Sequence, residues 1–219
     1  MKNYVLLGGH EFSEAGFFNT AMRAMKSVIE NYDSITFIES RFYNLEKNTE
    51  GVKRILSWFR YHGLEFKEYF VIDDRLSIQD QHRIIRQSKN IFINGGDTLG
   101  QMSTFNRNGI TPLLRDFDGP IIGISAGAIN MGKRSVLPLT KLRIRSYDFK
   151  GIGLVGVSIT PHFDITRKEH LRNEILPMSY KGLIYGLEED GAILIKEEEI
   201  KFYGGVYEVH NGKALKING

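Results

Sequence analysis

The chain has 219 residues, of which 42% are apolar and 25% charged, as is usual for a globular protein with a sizeable core. Its 29 basic and 26 acidic residues leave a net charge of +3, too small to indicate nucleic-acid or membrane binding. The sequence contains no cysteine, which excludes disulfides, thiolate metal ligands and a cysteine nucleophile. No stretch has the length of a signal-peptide core or a membrane span. We therefore expect a cytoplasmic protein with a single α/β domain over residues 1–219.

Short apolar runs alternate with amphipathic segments in the first part of the chain. The predicted strands are Tyr4–Leu7, Ser34–Ile38, Phe66–Ile72, Ile91–Ile93 and Pro120–Ile124. The predicted helices are Ala15–Glu30, Thr49–Tyr61, Ser77–Ser88 and Thr98–Asn108. This alternation predicts βαβ units around a parallel sheet, in which functional sites form at the carboxyl ends of the strands. Three polar segments follow strands and could meet in one crevice, namely Gly8–His10, Asn94–Asp97 and the turn at Ser125.

The pattern changes after residue 131. A basic stretch, Lys133–Lys150, is either a solvated loop or a positive rim that favours acidic substrates. A glycine-interrupted strand at Gly151–Thr160 and a helix at Ile165–Leu176 are predicted next. The remaining predicted strands are Leu183–Leu187 and a closing antiparallel set formed by Ala192–Ile195, Lys201–Tyr203 and Val206–Val209.

The segment Gly123-Ile124-Ser125-Ala126-Gly127 matches the G-x-S-x-G nucleophile elbow, and it lies between a predicted strand and a predicted helix, as that motif requires. A serine in this turn stands exposed at the end of the strand, with the N–H of Ala126 at the start of the helix, where an oxyanion is stabilised. The alternative is a structural turn in which Ser125 only caps the helix.

A serine nucleophile needs a base and a group that orients the base. His10 and His162 are the two histidines that follow predicted strands, and His162 is the better base because it lies on another strand after the nucleophile. His10 could line the pocket. The acidic run Glu188-Glu189-Asp190 also follows a strand, and its residue types alone do not choose among the three carboxylates. The order Ser…His…acid argues against the α/β-hydrolase fold, where the acid precedes the histidine.

Four segments of the sequence resemble the dipeptidase E and cyanophycinase group of serine peptidases. They are Asn94–Thr98, Gly123–Ala128, Pro161–Phe163 and Gly186–Ala192. The resemblance implies a three-layer, flavodoxin-like parallel sheet with helices on both faces, related to class I glutamine amidotransferases, and a small antiparallel C-terminal set. It also implies a catalytic triad of Ser125, His162 and Glu189.

One segment departs from the family pattern. Some members carry an aspartate shortly after the nucleophile helix, whereas Ser135–Thr140 contains no acid here. The segment Thr166–Glu169 is similar to the helix whose arginine holds the substrate's aspartate in aspartyl dipeptidases, which suggests Arg167 for substrate binding. Asp97 and His10 are further candidates for substrate contacts.

The sequence therefore predicts a serine peptidase that cleaves short peptides through an acyl-enzyme on Ser125, with a preference for acidic residues. The backbone N–H groups of Gly96 and Ala126 are the expected oxyanion donors. No metal or cofactor is expected, and the expected partner is a short peptide, with a homodimer left open. The alternatives are an esterase or another acyl-transfer hydrolase, and a catalytically silent binding protein of the same fold.

Overall fold

The computed structural model describes residues 2–139, 145–197 and 199–217. Its strands are β1 Asn3–Leu7, β2 Ser34–Ile38, β3 Glu68–Ile72, β4 Asn90–Ile93, β5 Pro120–Ile124, β6 Arg134–Leu137, β7 Tyr147–Lys150, β8 Ser158–Thr160, β9 Ile184–Leu187, β10 Ala192–Lys196, β11 Glu199–Tyr203, β12 Val206–His210 and β13 Lys213–Ile217. Its helices are α1 Asn19–Lys26, α2 Leu45–Tyr61, α3 Ile78–Gln87, α4 Thr98–Arg107, α5 Ile110–Asp116 and α6 Ala126–Met131. A further helical segment runs from Lys168 to Lys181 and is π-helical at Leu171–Ile175.

The main sheet has seven strands in the order β11-β10-β1-β5-β4-β2-β3. Strands β1 to β5 are parallel, and β10 and β11 extend the sheet beyond β1 in antiparallel pairing. A flavodoxin-like sheet has the strand order 2-1-3-4-5. Here β3, β2, β4 and β5 occupy the first four positions of that order, and β1 occupies the fifth. The chain leaves β2 toward one edge and β4 toward the other, so the topological switch point lies between these two strands, where open α/β sheets bind ligands.

Helices cover both faces of the main sheet, as the sequence predicts. Val5 and Leu7 of β1 pack in the apolar cluster that includes α1 and α2, whereas Leu6 packs with α3 to α6 on the other face. All three side chains are fully buried. Because successive residues of a strand point to opposite faces, a strand buried on both sides is expected to carry an apolar run, as β1 does from Tyr4 to Leu7.

Several elements end earlier or later than their sequence pattern indicates. Helix α1 begins at Asn19 rather than Ala15, because Gly16 has a φ of +63°, which is incompatible with a right-handed helix. A Cβ at this position would lie 2.0 Å from the Trp58 ring, so the close approach requires glycine. The helix predicted at Ile165–Leu176 begins only at Lys168 in the structure. The side chain of Asp164 accepts hydrogen bonds from the N–H and the hydroxyl of Thr166, at 2.9 and 2.6 Å. This local turn competes with helical bonding.

The predicted strand Gly151–Thr160 is wrong over most of its length. Only Ser158–Thr160 is extended in a ladder, and Gly153 has a φ of +79°, which breaks a strand. The predicted closing set is also divided: β10 and β11 join the main sheet, while β12 pairs with β9 and β13 in a second, four-stranded sheet. Strands β6, β7 and β13 and helix α5 were not predicted. In the described part of the chain, no helix combines the length and apolar character that crossing a bilayer requires.

Candidate active site

The carboxyl ends of three parallel strands meet at one cleft of about 450 Å³, as the sequence predicts. Gly9 and His10 follow β1, Gly96 follows β4, and Ser125 follows β5. The residues after β2 also line the cleft, so it extends over the switch point between β2 and β4. The far wall is one face of α2.

Ser125 occupies a turn with a backbone conformation that few non-glycine residues adopt. Its φ is 52° and its ψ −113°, directly between β5 and α6. Gly127 is required behind it, because a Cβ there would lie 2.2 Å from the carbonyl oxygen of Ile93. Gly123 has the same role toward the side chain of Met131, at 2.6 Å. The two glycines of the motif thus allow the close chain approach expected of them.

Two hydrogen bonds connect Ser125 to a histidine and the histidine to a carboxylate. The distance from Ser125 Oγ to His162 Nε2 is 2.9 Å, and that from His162 Nδ1 to Glu189 Oε1 is 2.7 Å. With Nδ1–H donating to Glu189, Nε2 is free to accept the serine proton. His162 itself has a positive φ of 53°, so both residues of the serine–histidine contact lie on strained backbone.

The three carboxylates of Glu188, Glu189 and Asp190 have different hydrogen-bond partners. Glu188 accepts from the hydroxyl of Tyr207 at 3.2 Å, and Asp190 accepts from the N–H of Gly205 at 3.0 Å. Glu189, between them, faces His162. The geometry thereby distinguishes three neighbours that residue type alone could not separate.

Gly9 leaves the space that Glu189 needs. A Cβ at Gly9 would lie 1.7 Å from Glu189 Oε2 and 3.3 Å from His162 Nδ1. Gly8 shows the same constraint toward the carbonyl oxygen of Glu188, at 2.0 Å. The end of β1 is therefore packed directly against the turn that carries the acid. Sequence reasoning missed this role, although the paired glycines at a strand end were visible.

A buried polar network holds the loop after β4 from below. Asn94 Nδ2 donates to Glu39 Oε1 at 2.5 Å, and Gln101 Nε2 donates to the carbonyl oxygen of Asn94 at 3.0 Å. Asn130 Nδ2 in turn donates to Gln101 Oε1 at 2.9 Å. Burial raises the pKa of Glu39 to about 7, against the opposing hydrogen bond from Asn94. Glu39 follows β2 at the cleft edge and was not among the residues predicted for the site.

The predicted substrate-binding residues lie in different surroundings. Arg167 lines a second cavity of about 150 Å³, which also contains Ser125 and His162. Arg167 also borders the acidic turn Glu188–Asp190. His10 lines the larger cleft, and its ring centroid is 4.9 Å from that of Trp58.

Asp97 has a structural role in the fold. Its Oδ1 accepts from the N–H of Gly100 at 3.0 Å, so it caps α4, and it is not among the residues that line either cavity. Gly96, the predicted oxyanion donor, lines both cavities and has a φ of 129°, where glycine is favoured. Ala126 is the first residue of α6.

The basic stretch does not present all its charge to the site. Arg134 binds the carboxylate of Asp148 through two hydrogen bonds of 3.0 Å, and β6 pairs with β7 so that Arg134 lies opposite Lys150. The other end of β6 leads to Pro138, which lines the smaller cavity. Lys133 and Lys150 are therefore at the far end of this hairpin, while Lys141 and Arg143 lie outside the described residues. No group of three or more potential metal ligands occurs among the residues described.

Comparison with known proteins agrees with the family and the fold that the sequence predicts. The sequence profile of peptidase family S51 matches residues 4–203. A protein assigned as peptidase E from Listeria monocytogenes EGD-e is 20% identical, with a TM-score of 0.65 over 92% of this chain and 98% of that one. A peptidase from an acI-B1 Actinobacterium is 16% identical, with a TM-score of 0.67 over 99% of this chain and 94% of that one. A search of curated proteins finds no match. The predicted family resemblance and the flavodoxin-like fold are thus confirmed.

Proposed function

The chain belongs to peptidase family S51 and is a serine-type peptidase, and we propose that it cleaves short peptides through an acyl-enzyme formed on Ser125. The observation that carries this proposal is the hydrogen-bonded series Ser125–His162–Glu189, with distances of 2.9 and 2.7 Å, at the mouth of the cleft. A cytoplasmic location and a homodimer remain predictions from the sequence.

The proton follows the two hydrogen bonds. Ser125 Oγ attacks the peptide carbonyl while His162 Nε2 accepts the serine proton, and His162 then donates that proton to the leaving amine. Water hydrolyses the resulting ester by the same route in reverse. Glu189 holds His162 with Nδ1–H toward the carboxylate and stabilises the imidazolium that forms.

The oxyanion is held by two backbone groups in this mechanism. The N–H of Ala126 stands at the first position of α6, and Gly96 lines the cleft and the smaller cavity beside Ser125. Each such donor contributes about 3–4 kcal/mol to transition-state stabilisation in other serine peptidases. The buried amide network fixes Asn94, at the start of the loop that carries Gly96.

We assign the preference for acidic residues to Arg167. Arg167 lines the smaller cavity beside Ser125, and a guanidinium can hold a carboxylate through two parallel hydrogen bonds. A cavity of about 150 Å³ suits one short side chain rather than a peptide segment. The side chain of an aspartate next to the cleaved bond fits this position in size and charge.

A fluorophosphonate probe tests the nucleophile whatever the natural substrate is. We expect stoichiometric labelling of Ser125 in the wild-type protein and none in Ser125→Ala, with labelling strongly slowed in His162→Ala. The matched control is His210→Ala, an exposed histidine away from the cavities. Labelling that is unchanged in Ser125→Ala or His162→Ala would contradict the proposal. Comparing amide with ester turnover separates a peptidase from an esterase.

A further inference from the structure

Ser125 lies between two cavities that differ in size and lining. Ser125, His162 and Gly96 border both the 450 Å³ cleft and the 150 Å³ cavity that contains Arg167. A peptide whose scissile carbonyl is at Ser125 can therefore place one side of the bond in each cavity. If the acidic side chain occupies the Arg167 cavity, the rest of the peptide occupies the larger cleft.

One face of α2 forms the wall of this larger cleft. The lining residues recur at helical spacing, which places them on a single stripe; they are Asn44, Lys47, Asn48, Gly51, Arg54, Ile55 and Trp58. Arg41, in the loop before the helix, lines the same cleft. Three cationic side chains therefore border a cavity that opens directly onto the nucleophile.

These three cations have no acidic partner within the described residues. Arg41, Lys47 and Arg54 are exposed and form no ion pair there, whereas Arg75 nearby binds Asp73 through bonds of 2.9 and 2.7 Å. The guanidinium of Arg54 lies 5.9 Å from the centre of the Trp58 ring, close enough for a cation–π contact that orients it. The wall thus offers positive charge that the fold itself does not use.

Glu39 is the acidic residue that faces this cleft among the described lining residues. Glu39 as a residue is 6% exposed, and burial raises the pKa of its carboxyl to about 7. At pH 7 it is therefore about half protonated and opposes an incoming anion less than a fully ionised glutamate would. His10 and His162 also line the cleft, and neither side chain adds negative charge to it.

Gly51 leaves open space in the middle of this wall. It lies in the interior of α2, where glycine is the least favourable residue apart from proline. No steric constraint within the described chain demands it, because a Cβ there would have no heavy atom within 4 Å. Its backbone has no positive φ either. The missing side chain leaves a gap between Lys47 and Arg54 that faces the cleft.

We propose that the α2 wall is a subsite that binds a carboxylate of the peptide, on the opposite side of the scissile bond from Arg167. Lys47 and Arg54 bind the carboxylate, and Arg41 adds to the positive electrostatic potential of the wall. Gly51, which has no side chain, leaves space for the carboxylate. The subsite rests on the proposed function in taking Ser125 as the reaction centre. The carboxylate is supplied by the free C-terminus of a dipeptide or by an acidic side chain after the cleaved bond.

Binding to Ser125→Ala protein tests the subsite without turnover. Calorimetric titration with Asp-Ala, Asp-Ala-amide, Asp-Glu-amide and Asp-Gln-amide separates the two sources of carboxylate. We expect C-terminal amidation of Asp-Ala to weaken binding about tenfold, as several exposed charge pairs would provide, and salt to reduce the difference. Tighter binding of Asp-Glu-amide than of Asp-Gln-amide would show that a side-chain carboxylate also serves. Equal affinity for Asp-Ala and its amide, or no binding of either, overturns the proposal.

A pair of charge-matched variants locates the effect. Lys47→Gln/Arg54→Gln should abolish the penalty of amidation, while Lys53→Gln/Arg60→Gln, on exposed positions of the same helix outside the cleft, should retain it. The proposal is contradicted if the first pair keeps the full discrimination or if the second pair loses as much of it.

Gly51→Ala gives a readout that a purely structural glycine would not give. Alanine should raise the thermal unfolding midpoint, because it is the better helix former, yet weaken Asp-Ala binding several-fold. A more stable variant with unchanged affinity would remove Gly51 from the subsite.

These binding measurements are independent of catalysis. If the wild-type protein hydrolyses no peptide while Ser125→Ala shows carboxylate-dependent binding, the proposed function is overturned and the subsite is retained.

Discussion

The two parts of the chain that meet at Ser125 are built in different ways. Residues 2–131 form the parallel strands and their covering helices, and they supply Ser125, Gly9 and the Gly95-Gly96 loop. The described residues after position 131, which are 132–139, 145–197 and 199–217, form short strands, a helical segment that is partly π-helical, and edge pairings, and they supply His162 and Glu189. The nucleophile thus comes from a regular scaffold, and its partners from an irregular one. The relative positions of Ser125, His162 and Glu189 therefore depend on the contacts between the two parts.

Gly9→Ala should disrupt the contact between the two parts, and we expect it to have the largest effect on catalysis. A Cβ at Gly9 would lie 1.7 Å from Glu189 Oε2, so the carboxylate must move away from His162. We expect kcat to fall roughly 10²-fold or more, because displacement of a catalytic group by about 1 Å has effects of this size. Steady-state kinetics, with circular dichroism to confirm folding, measures it.

The control for Gly9→Ala is a cycle with Glu189→Gln. If Gly9 acts through Glu189, the double variant should be no slower than the worse single variant, because the two changes remove one interaction. Multiplied losses would mean that Gly9→Ala damages the site by another route.

The regular part was largely predictable from the sequence, and the irregular part was not. Ile121, Ile122 and Ile124 mark a strand buried on both faces, which fixes the place of Ser125. In contrast, strands of three or four residues such as β8 carry too little pattern to set their bounds. The choice of Glu189 over Glu188 required the position of residues far away in the chain, such as Tyr207 and Gly9.

The buried acid under the regular part should give a pH-dependent stability. The pKa of Glu39 is raised by burial from 4.5 to about 7, so the folded protein binds this proton more tightly than the unfolded chain does. Its stabilising contribution is fully present below about pH 4.5 and is lost as the pH rises through 7, by at most about 3 kcal/mol. Glu39→Gln should remove this dependence while still accepting the Asn94 hydrogen bond.

Urea denaturation of wild type and Glu39→Gln between pH 4.5 and 8 measures the difference. We expect the variant to gain stability relative to the wild type as the pH increases. Parallel stability curves would show that Glu39 does not titrate in this range, and would place the polar network outside the pH response of the fold.

Arg167→Ala tests the irregular part at the smaller cavity. Since Arg167 is exposed without a ligand and borders the acidic turn, we expect a moderate effect, about ten- to thirtyfold in kcat/KM for Asp-containing dipeptides. Turnover of the matching Asn dipeptides should change little. Arg167→Lys should not restore the loss, because an ammonium cannot form the two parallel hydrogen bonds. Equal kcat/KM for Asp and Asn dipeptides in the wild type would rule out this specificity.

The smallest expected effect concerns Asp97, at the border of the site in the regular part. The sequence suggested that it contacts substrate, whereas its Oδ1 caps α4 through the N–H of Gly100 at 3.0 Å. Asp97→Ala should therefore destabilise the fold by about 1 kcal/mol, and Asp97→Asn by only a few tenths, since asparagine caps helices about as well. Both variants should keep their kcat/KM in conditions where they are folded.

Activity that falls in Asp97→Asn while stability is retained would mean that the negative charge of Asp97 contacts the substrate, and would extend the active site to the start of α4. Chemical denaturation and kinetics on the same preparations separate these two roles, because a cap depends on an acceptor oxygen and a substrate contact depends on the negative charge.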